Sequence, residues 1–240
     1  GIDIISKNIS ILILTAFIST LLILSLSGLT LHREIQVSSF SFVIAIDASR
    51  SMEATDILPS RIEAAKETAS SFVDSLPAGT KIGLVSFSGN ALIKSDLTDD
   101  KLMTKQSIQE ISISSLGGTD LHEAVLTSTN LLLNEEAKSV ILLSDGQINI
   151  GTIENVISYA NQNDVVVHTI GIGTEQGGQT SYGMSKIDED SLKAIAYNTK
   201  GQYFKAENKD QLSNSFNEIT QLKLGKVSLQ LFPYLLLVAL

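Results

Sequence analysis

Apolar positions fall into two patterns along this chain. From Ile9 to Leu31 they form one uncharged run, ISILILTAFISTLLILSLSGLTL. As a helix rising about 1.5 Å per residue the run would be roughly 35 Å long. That length suits a hydrocarbon core of about 30 Å. A membrane-spanning helix over about 9–31 is therefore expected, with Lys7 on one flank and His32, Arg33 and Glu34 on the other. A secretory signal peptide is the competing reading, but its apolar region is usually shorter. The last stretch, VSLQLFPYLLLVAL, turns apolar again. From Leu231 it is too short to span, and it is read as the start of a second membrane segment. Because the chain opens on Gly1 rather than Met, a fragment or processed product is expected.

Between these ends the pattern changes to short apolar runs alternating with amphipathic stretches. Residues 38–47, 81–88, 91–95, 138–145, 165–172 and 201–206 read as strands, rich in β-branched residues and bounded by turn formers. Residues 60–76 repeat Ile62, Ala65, Ala69, Phe72, Val73 and Leu76 on one helical face. Further helices are expected over 101–111, 121–134, 152–163, 188–199 and 209–222. Gly171 to Ser185, rich in Gly and polar residues, reads as a long surface loop. Strands alternating with helices imply an α/β fold, doubly wound, with a mostly parallel sheet flanked by helices. The expected division is 1–33 for the flank and membrane helix, 34–226 for one soluble domain, and 227–240 for the C-terminal membrane segment.

Composition narrows the function. Lys and Arg number 17 against 26 Asp and Glu, a formal charge of −9. This balance argues against nucleic acid as a partner, since binding it requires a basic surface. No cysteine is present, so disulfides, thiolate metal sites and thiol catalysis are excluded. With 43% hydrophobic residues the chain is not disordered.

Three polar clusters follow strand or loop ends: Asp47-Ala48-Ser49-Arg50-Ser51, Gly117-Gly118-Thr119-Asp120 and Ser144-Asp145-Gly146. In open parallel sheets, ligands bind beyond the carboxyl ends of the strands. Asp47, Ser49, Ser51, Thr119 and Asp145 offer two carboxylates and three hydroxyls, the oxygen donors that a hard divalent cation prefers. Neutral hydroxyls leave such a cation short of negative charge and open to one more anion from outside. Arg50 and Met52 are expected to face solvent or a partner. Asp120 is read as a helix cap rather than a ligand, and His168 as a core residue in a buried strand.

These clusters resemble the metal-ion-dependent adhesion site of von Willebrand factor type A domains: Asp47-x-Ser49-x-Ser51, Thr119 in GGTD, and Asp145 in SDG. PSRIEAAK, KIGLVSFSG and DGQINIG agree with it as well, so that the resemblance covers about residues 38–222. It implies a Rossmann-like fold and a site for Mg²⁺, or another divalent cation such as Mn²⁺ or Ca²⁺. Ser49, Ser51 and Thr119 would contact the metal directly, Asp47 and Asp145 through water, and a partner's Asp or Glu would complete the shell. The apolar segments on either side of the domain resemble the membrane-anchored Bat (aerotolerance) type. That likeness implies association with MoxR-type AAA+ ATPases and other membrane proteins of this kind, by protein–protein interaction and without enzyme activity.

Two other functions remain open at this point. One is a Mg²⁺-dependent hydrolase or phosphotransferase with Asp47 as nucleophile; Ser at 49 and 51, where a second carboxylate is needed, disfavours it. The other is a membrane scaffold whose metal site has lost its function. A dinucleotide loop at Gly171–Gly178 lacks the G-x-G-x-x-G spacing, and no serine sits in a G-x-S-x-G elbow. Lys7 lies on one side of the membrane run and Arg33, Lys223 and Lys226 on the other, so the side of the membrane that the domain faces stays open.

Overall fold

The computed structural model describes residues 9, 11–20, 30–33, 41–135, 137–223 and 227–230. The chain divides into two compact units, Gly1–Val37 with Leu224–Leu240, and Ser38–Lys223.

In the first unit, residues 11–20 are helical, and Ile11, Leu12, Ile13, Leu14 and Phe17 are exposed. Strand β1 (Thr30–Arg33) pairs antiparallel with β10 (Val227–Gln230), Thr30 opposite Gln230. The membrane helix expected over 9–31 is thereby corrected at its end: Thr30 and Leu31 are extended and bonded to a neighbouring strand. Among the described residues no helix is long and apolar enough to cross a membrane. Residues 21–29 and 231–240, on which the rest of the two expected membrane segments falls, lie outside the described residues.

In the second unit the elements run β2 (Ser41–Asp47), α1 (Arg61–Ser75), β3 (Lys81–Phe87), β4 (Ala91–Thr98), α2 (Lys101–Gln109), α3 (Leu121–Leu131), β5 (Lys138–Ser144), α4 (Ile153–Gln162), β6 (Val165–Ile172), β7 (Gly178–Thr180), β8 (Gly183–Ser185), α5 (Glu189–Asn198), β9 (Tyr203–Ala206) and α6 (Lys209–Lys223). The main sheet has six strands in the order β4-β3-β2-β5-β6-β9. All neighbours are parallel except β3 and β4.

Strand β2 explains why its run is continuously apolar. Successive side chains point to opposite faces of a sheet, and here both faces are covered. Phe42, Ile44 and Ile46 join a core with Ile62, Ala65, Ala69, Phe72 and Val73 of α1 and with Leu212, Phe216 and Ile219 of α6. Val43 and Ala45 join the opposite core, with Leu121, Ala124 and Val125 of α3, Val156 of α4 and Leu192 of α5. Phe72 stacks on Phe216 with ring centroids 4.5 Å apart, which ties the first helix to the last.

The helices start where polar side chains accept their free N–H groups. Ser60, Asp100, Asp120, Thr152 and Asp188 each accept such a bond at a helix start. Helices α2 and α3 end earlier than their apolar periodicity predicts; after α3 the chain turns at Leu132, whose N–H bonds to Thr129 O. The stretch expected to be a plain loop contains the hairpin β7–β8.

The site follows from the strand order. From β2 the chain leaves to one side toward β3, while β5 adds on the other side. The order therefore reverses between β2 and β5, and loops leaving their carboxyl ends open a crevice there. Asp47 ends β2, and Ser144 and Asp145 end the adjacent β5.

Candidate metal centre

Asp47 closes a strand that is buried along its whole length, so its carboxyl is carried into the protein and is completely buried. Its Oδ1 accepts the Ser49 N–H at 2.8 Å, which bends the chain sharply after the strand. Its Oδ2 accepts the Ser144 hydroxyl at 2.6 Å across the β2–β5 gap. The turn brings Ser49 Oγ and Ser51 Oγ to 3.0 Å from each other. A single 3₁₀ turn, Arg50–Glu53, then follows. It directs Met52 inward, where the side chain is fully buried in the α1-side core. The expectation that Met52 faces solvent or a partner is thus corrected, because one tight turn after a buried strand returns every third residue to the core. Arg50 stays on the outside, with its guanidinium 4.4 Å from the centroid of the Tyr182 ring.

Thr119 is held in place from the opposite side of the crevice. Its N–H donates to Asn149 Oδ1 at 2.6 Å, and its carbonyl accepts from the Asn149 and Ile150 N–H groups. Gly118 before it has φ +99°, and a Cβ there would lie 2.6 Å from Ile150 Cδ1. Only glycine fits both the backbone and the space. Asp120 accepts the Glu123 N–H, the cap expected of it.

Asp145 is completely buried as well. Its Oδ1 accepts the Gln147 N–H at 3.2 Å. Its Oδ2 accepts from Arg61 Nη1 and from Ser185 Oγ, both at 3.0 Å. Arg61 has no exposed side-chain surface and also forks onto Asp56 through Nε and Nη2, each at 2.8 Å. Desolvation works against ionisation of Asp56, yet the bonds from Arg61 and Thr174 outweigh it and hold the carboxyl below its usual range. Asp47 has no such cation. Burial first, and then the charge of Asp145, push its carboxyl up to about 7 against the hydroxyl and backbone bonds that favour ionisation.

Ser49, Ser51 and Thr119 line one cleft of about 310 Å³, together with Arg50, Gln147, Asn149 and the β7–β8 hairpin. Asp47 and Asp145 lie behind this lining. The structure thus brings together the five residues singled out from the sequence, hydroxyls in front and carboxyls behind. The arrangement fits a hard divalent cation. The hydroxyls would meet it, each carboxylate oxygen keeps acceptor capacity for an intervening water, and a cation would relieve the cost of ionising Asp47. Among the described residues no group of three or more His, Cys, Asp or Glu side chains could hold a metal, so a site here depends on the hydroxyls.

Sequence reasoning missed Asp56 and Ser185, and gave no role in the site to Arg61, Ser144 and Asn149, although each of these three lies in a stretch it singled out. By position alone Arg61 reads as a solvated cation at the start of a helix; the one signal for it was the family likeness of PSRIEAAK. His168 is buried in β6, with Nδ1 accepting from the Gln202 N–H, as a core histidine should be.

Residues 42–147 match the von Willebrand factor type A domain. A UPF0353 protein of Nocardia farcinica is 27% identical over 229 residues, covering 83% of this chain and 68% of the relative. Another, from Mycolicibacterium gilvum, is 26% identical over 199 residues, and this chain spans 59% of its length. Among solved structures, the conserved hypothetical protein BatB of Bacteroides thetaiotaomicron superposes with a TM-score of 0.67 at 26% identity, over 75% of this chain and 98% of BatB. An aerotolerance-related membrane protein of Bacteroides fragilis shares the fold with a TM-score of 0.67 at 24% identity, over 74% of this chain and 96% of that one. Proximal thread matrix protein 1 of the mussel byssus also shares the fold, with a TM-score of 0.61 at 24% identity, over 80% of this chain and 48% of its own, and its structure has a zinc-occupied MIDAS motif. Sheet order, site geometry and these likenesses converge: over residues 42–147 the chain matches the von Willebrand factor type A domain, and its fold superposes on that of Bacteroides BatB.

Proposed function

We propose that this protein is a membrane-anchored, non-enzymatic docking module of the Bat type. Its domain binds Mg²⁺, or Mn²⁺ or Ca²⁺, at Asp47, Ser49, Ser51, Thr119 and Asp145, and recruits a protein whose Asp or Glu completes the metal's shell. A MoxR-type AAA+ ATPase and other membrane proteins with type A domains are the partners that the Bat likeness favours. The apolar run beginning at Ile9 serves as the anchor, in keeping with the exposed apolar side chains over 11–17 and with the membrane protein of B. fragilis that shares the fold.

One observation carries the reading: three hydroxyls line an open cleft in front of two wholly buried carboxyls. Hydroxyl ligands leave a bound cation's charge uncompensated, so an outside carboxylate gains by joining it. The same burial disfavours phosphoryl transfer by Asp47, since both its oxygens are bonded behind the cleft. The test is a pull-down of the full chain from detergent-solubilised native membranes, in Mg²⁺ and in EDTA, with wild type beside Thr119→Ala. A partner retained in Mg²⁺ and lost in both EDTA and the variant is the expected result. A partner set that neither treatment changes would overturn metal-dependent docking.

A further inference from the structure

The cleft has a second wall that the metal reading does not use. It is the hairpin β7–β8, which contributes Thr180, Tyr182, Gly183, Met184 and Ser185 to the lining. It exposes two large side chains: Tyr182, in the turn, is 70% exposed, and Met184, in β8, 61%. Its base is fixed: Ser185 bonds both Arg61 and Asp145, and Gly178 packs so closely that a Cβ would lie 2.7 Å from Asp56 Oδ1. Its turn is tied down as well, since Ser181 donates to Glu53. A rigid wall carrying exposed apolar side chains beside an anion-seeking cleft is a preorganised contact surface.

Arg50 belongs to this wall. It stands between Ser49 and Ser51 in sequence, lies over the Tyr182 ring, and donates to Ser115 O at 3.4 Å. Among the described residues no carboxylate pairs with it, in a chain of net charge −9. A guanidinium at a cleft that leads to a cation, kept from nearby acidic groups, presents a second positive charge to an incoming anion.

We infer that Arg50, Tyr182 and Met184 set the specificity of the docking site, and that its ligand is a protein segment in which an Asp or Glu is followed directly by an aromatic residue. The carboxylate binds at the metal with Arg50 adding to its attraction, and the aromatic ring packs on Tyr182 and Met184. This inference rests on the metal-dependent reading above.

The test uses the full chain in detergent micelles with Mg²⁺ and two blocked synthetic pentapeptides. One carries a single aspartate among glycines; the other has phenylalanine in place of the glycine after the aspartate. Burying much of a phenylalanine ring should make the second bind about tenfold tighter. Tyr182→Ala should remove that preference and leave binding of the all-glycine peptide intact. Arg50→Met should weaken both peptides about equally, and more at low salt than at high salt. Equal binding of the two peptides to wild type, or a preference that survives Tyr182→Ala, would overturn the inference while leaving metal-dependent docking standing. Binding of neither peptide in Mg²⁺ would overturn both readings.

Discussion

Arg61 Nη1 lies 3.0 Å from Asp145 Oδ2, and neither side chain has any exposed surface. One oxygen of the candidate metal-site carboxylate is therefore already committed to a cation that the protein itself supplies. Asp145 can serve a metal chiefly through its other oxygen and through water, and its orientation is fixed before any metal arrives. The same guanidinium holds Asp56 and Ser185, so that the first helix, the end of β5 and the hairpin share one buried charge network.

Breaking that network is costly. Arg61→Met strips the counter-charge from two carboxylates, one fully and one largely buried, and should destabilise the domain by about 3–5 kcal/mol. Arg61→Lys should recover only part of this, since a point charge cannot fork onto Asp56 and reach Asp145 together. Urea unfolding of the three proteins checks the order, and a Met variant as stable as wild type would contradict it.

Divalent cation should stabilise the folded chain. At a concentration about 100 times the dissociation constant the gain is about 2.7 kcal/mol. It appears as a rise in Tm with Mg²⁺ that EDTA reverses. Ser51→Ala and Thr119→Ala should abolish the rise while changing the metal-free Tm little, since neither hydroxyl supports the core.

Gly118→Ala tests the loop that carries Thr119. The added methyl meets both a positive φ and Ile150, so a loss of about 1–3 kcal/mol is expected. The Mg²⁺-dependent rise in Tm should fall too, because the strain is relieved by displacing Thr119. The apo and Mg²⁺-loaded melting curves of this variant measure both effects.

A separate network adds to acid stability. Hydrogen bonds from Lys193 and then Lys205 draw the Glu189 carboxyl down to about 2. A carboxyl depressed on folding contributes its full stabilisation above its unfolded value and loses it as pH falls through the folded one. Stability should therefore drop between about pH 4.5 and pH 2. Lys205→Met should flatten that part of the curve, measured by urea unfolding across the range.

Much of the architecture was legible because the two periodicities are strong here. The apolar run of β2 and the 3.6-residue face of α1 both survive into the structure, since each is buried on the side that its pattern marks. The five metal-site candidates were legible because they end strands or precede a helix, where backbone geometry leaves side chains free to converge. The hairpin β7–β8 was not, because Gly, Gln, Thr and Ser carry no alternation, and its pairing depends on Arg61 and Glu53 far away in sequence. Met52 was misread as exposed because a single 3₁₀ turn is too short to show a period. The strand end of the apolar N-terminal run, Thr30 and Leu31, was hidden because its partner, Val227–Gln230, lies some two hundred residues on.

Thr119 is bound through its N–H to the Asn149 side chain and through its carbonyl to the backbone at 149 and 150. Asp145, four residues before Asn149, is pinned by Arg61. The short stretch 146–148 thus acts as a ruler between the two halves of the cleft. Its length sets how far the threonine hydroxyl stands from the carboxylate. Inserting one residue there, which lengthens the ruler by up to about 3.5 Å, would spread the donors beyond the reach of one ion while leaving each of them in the sequence.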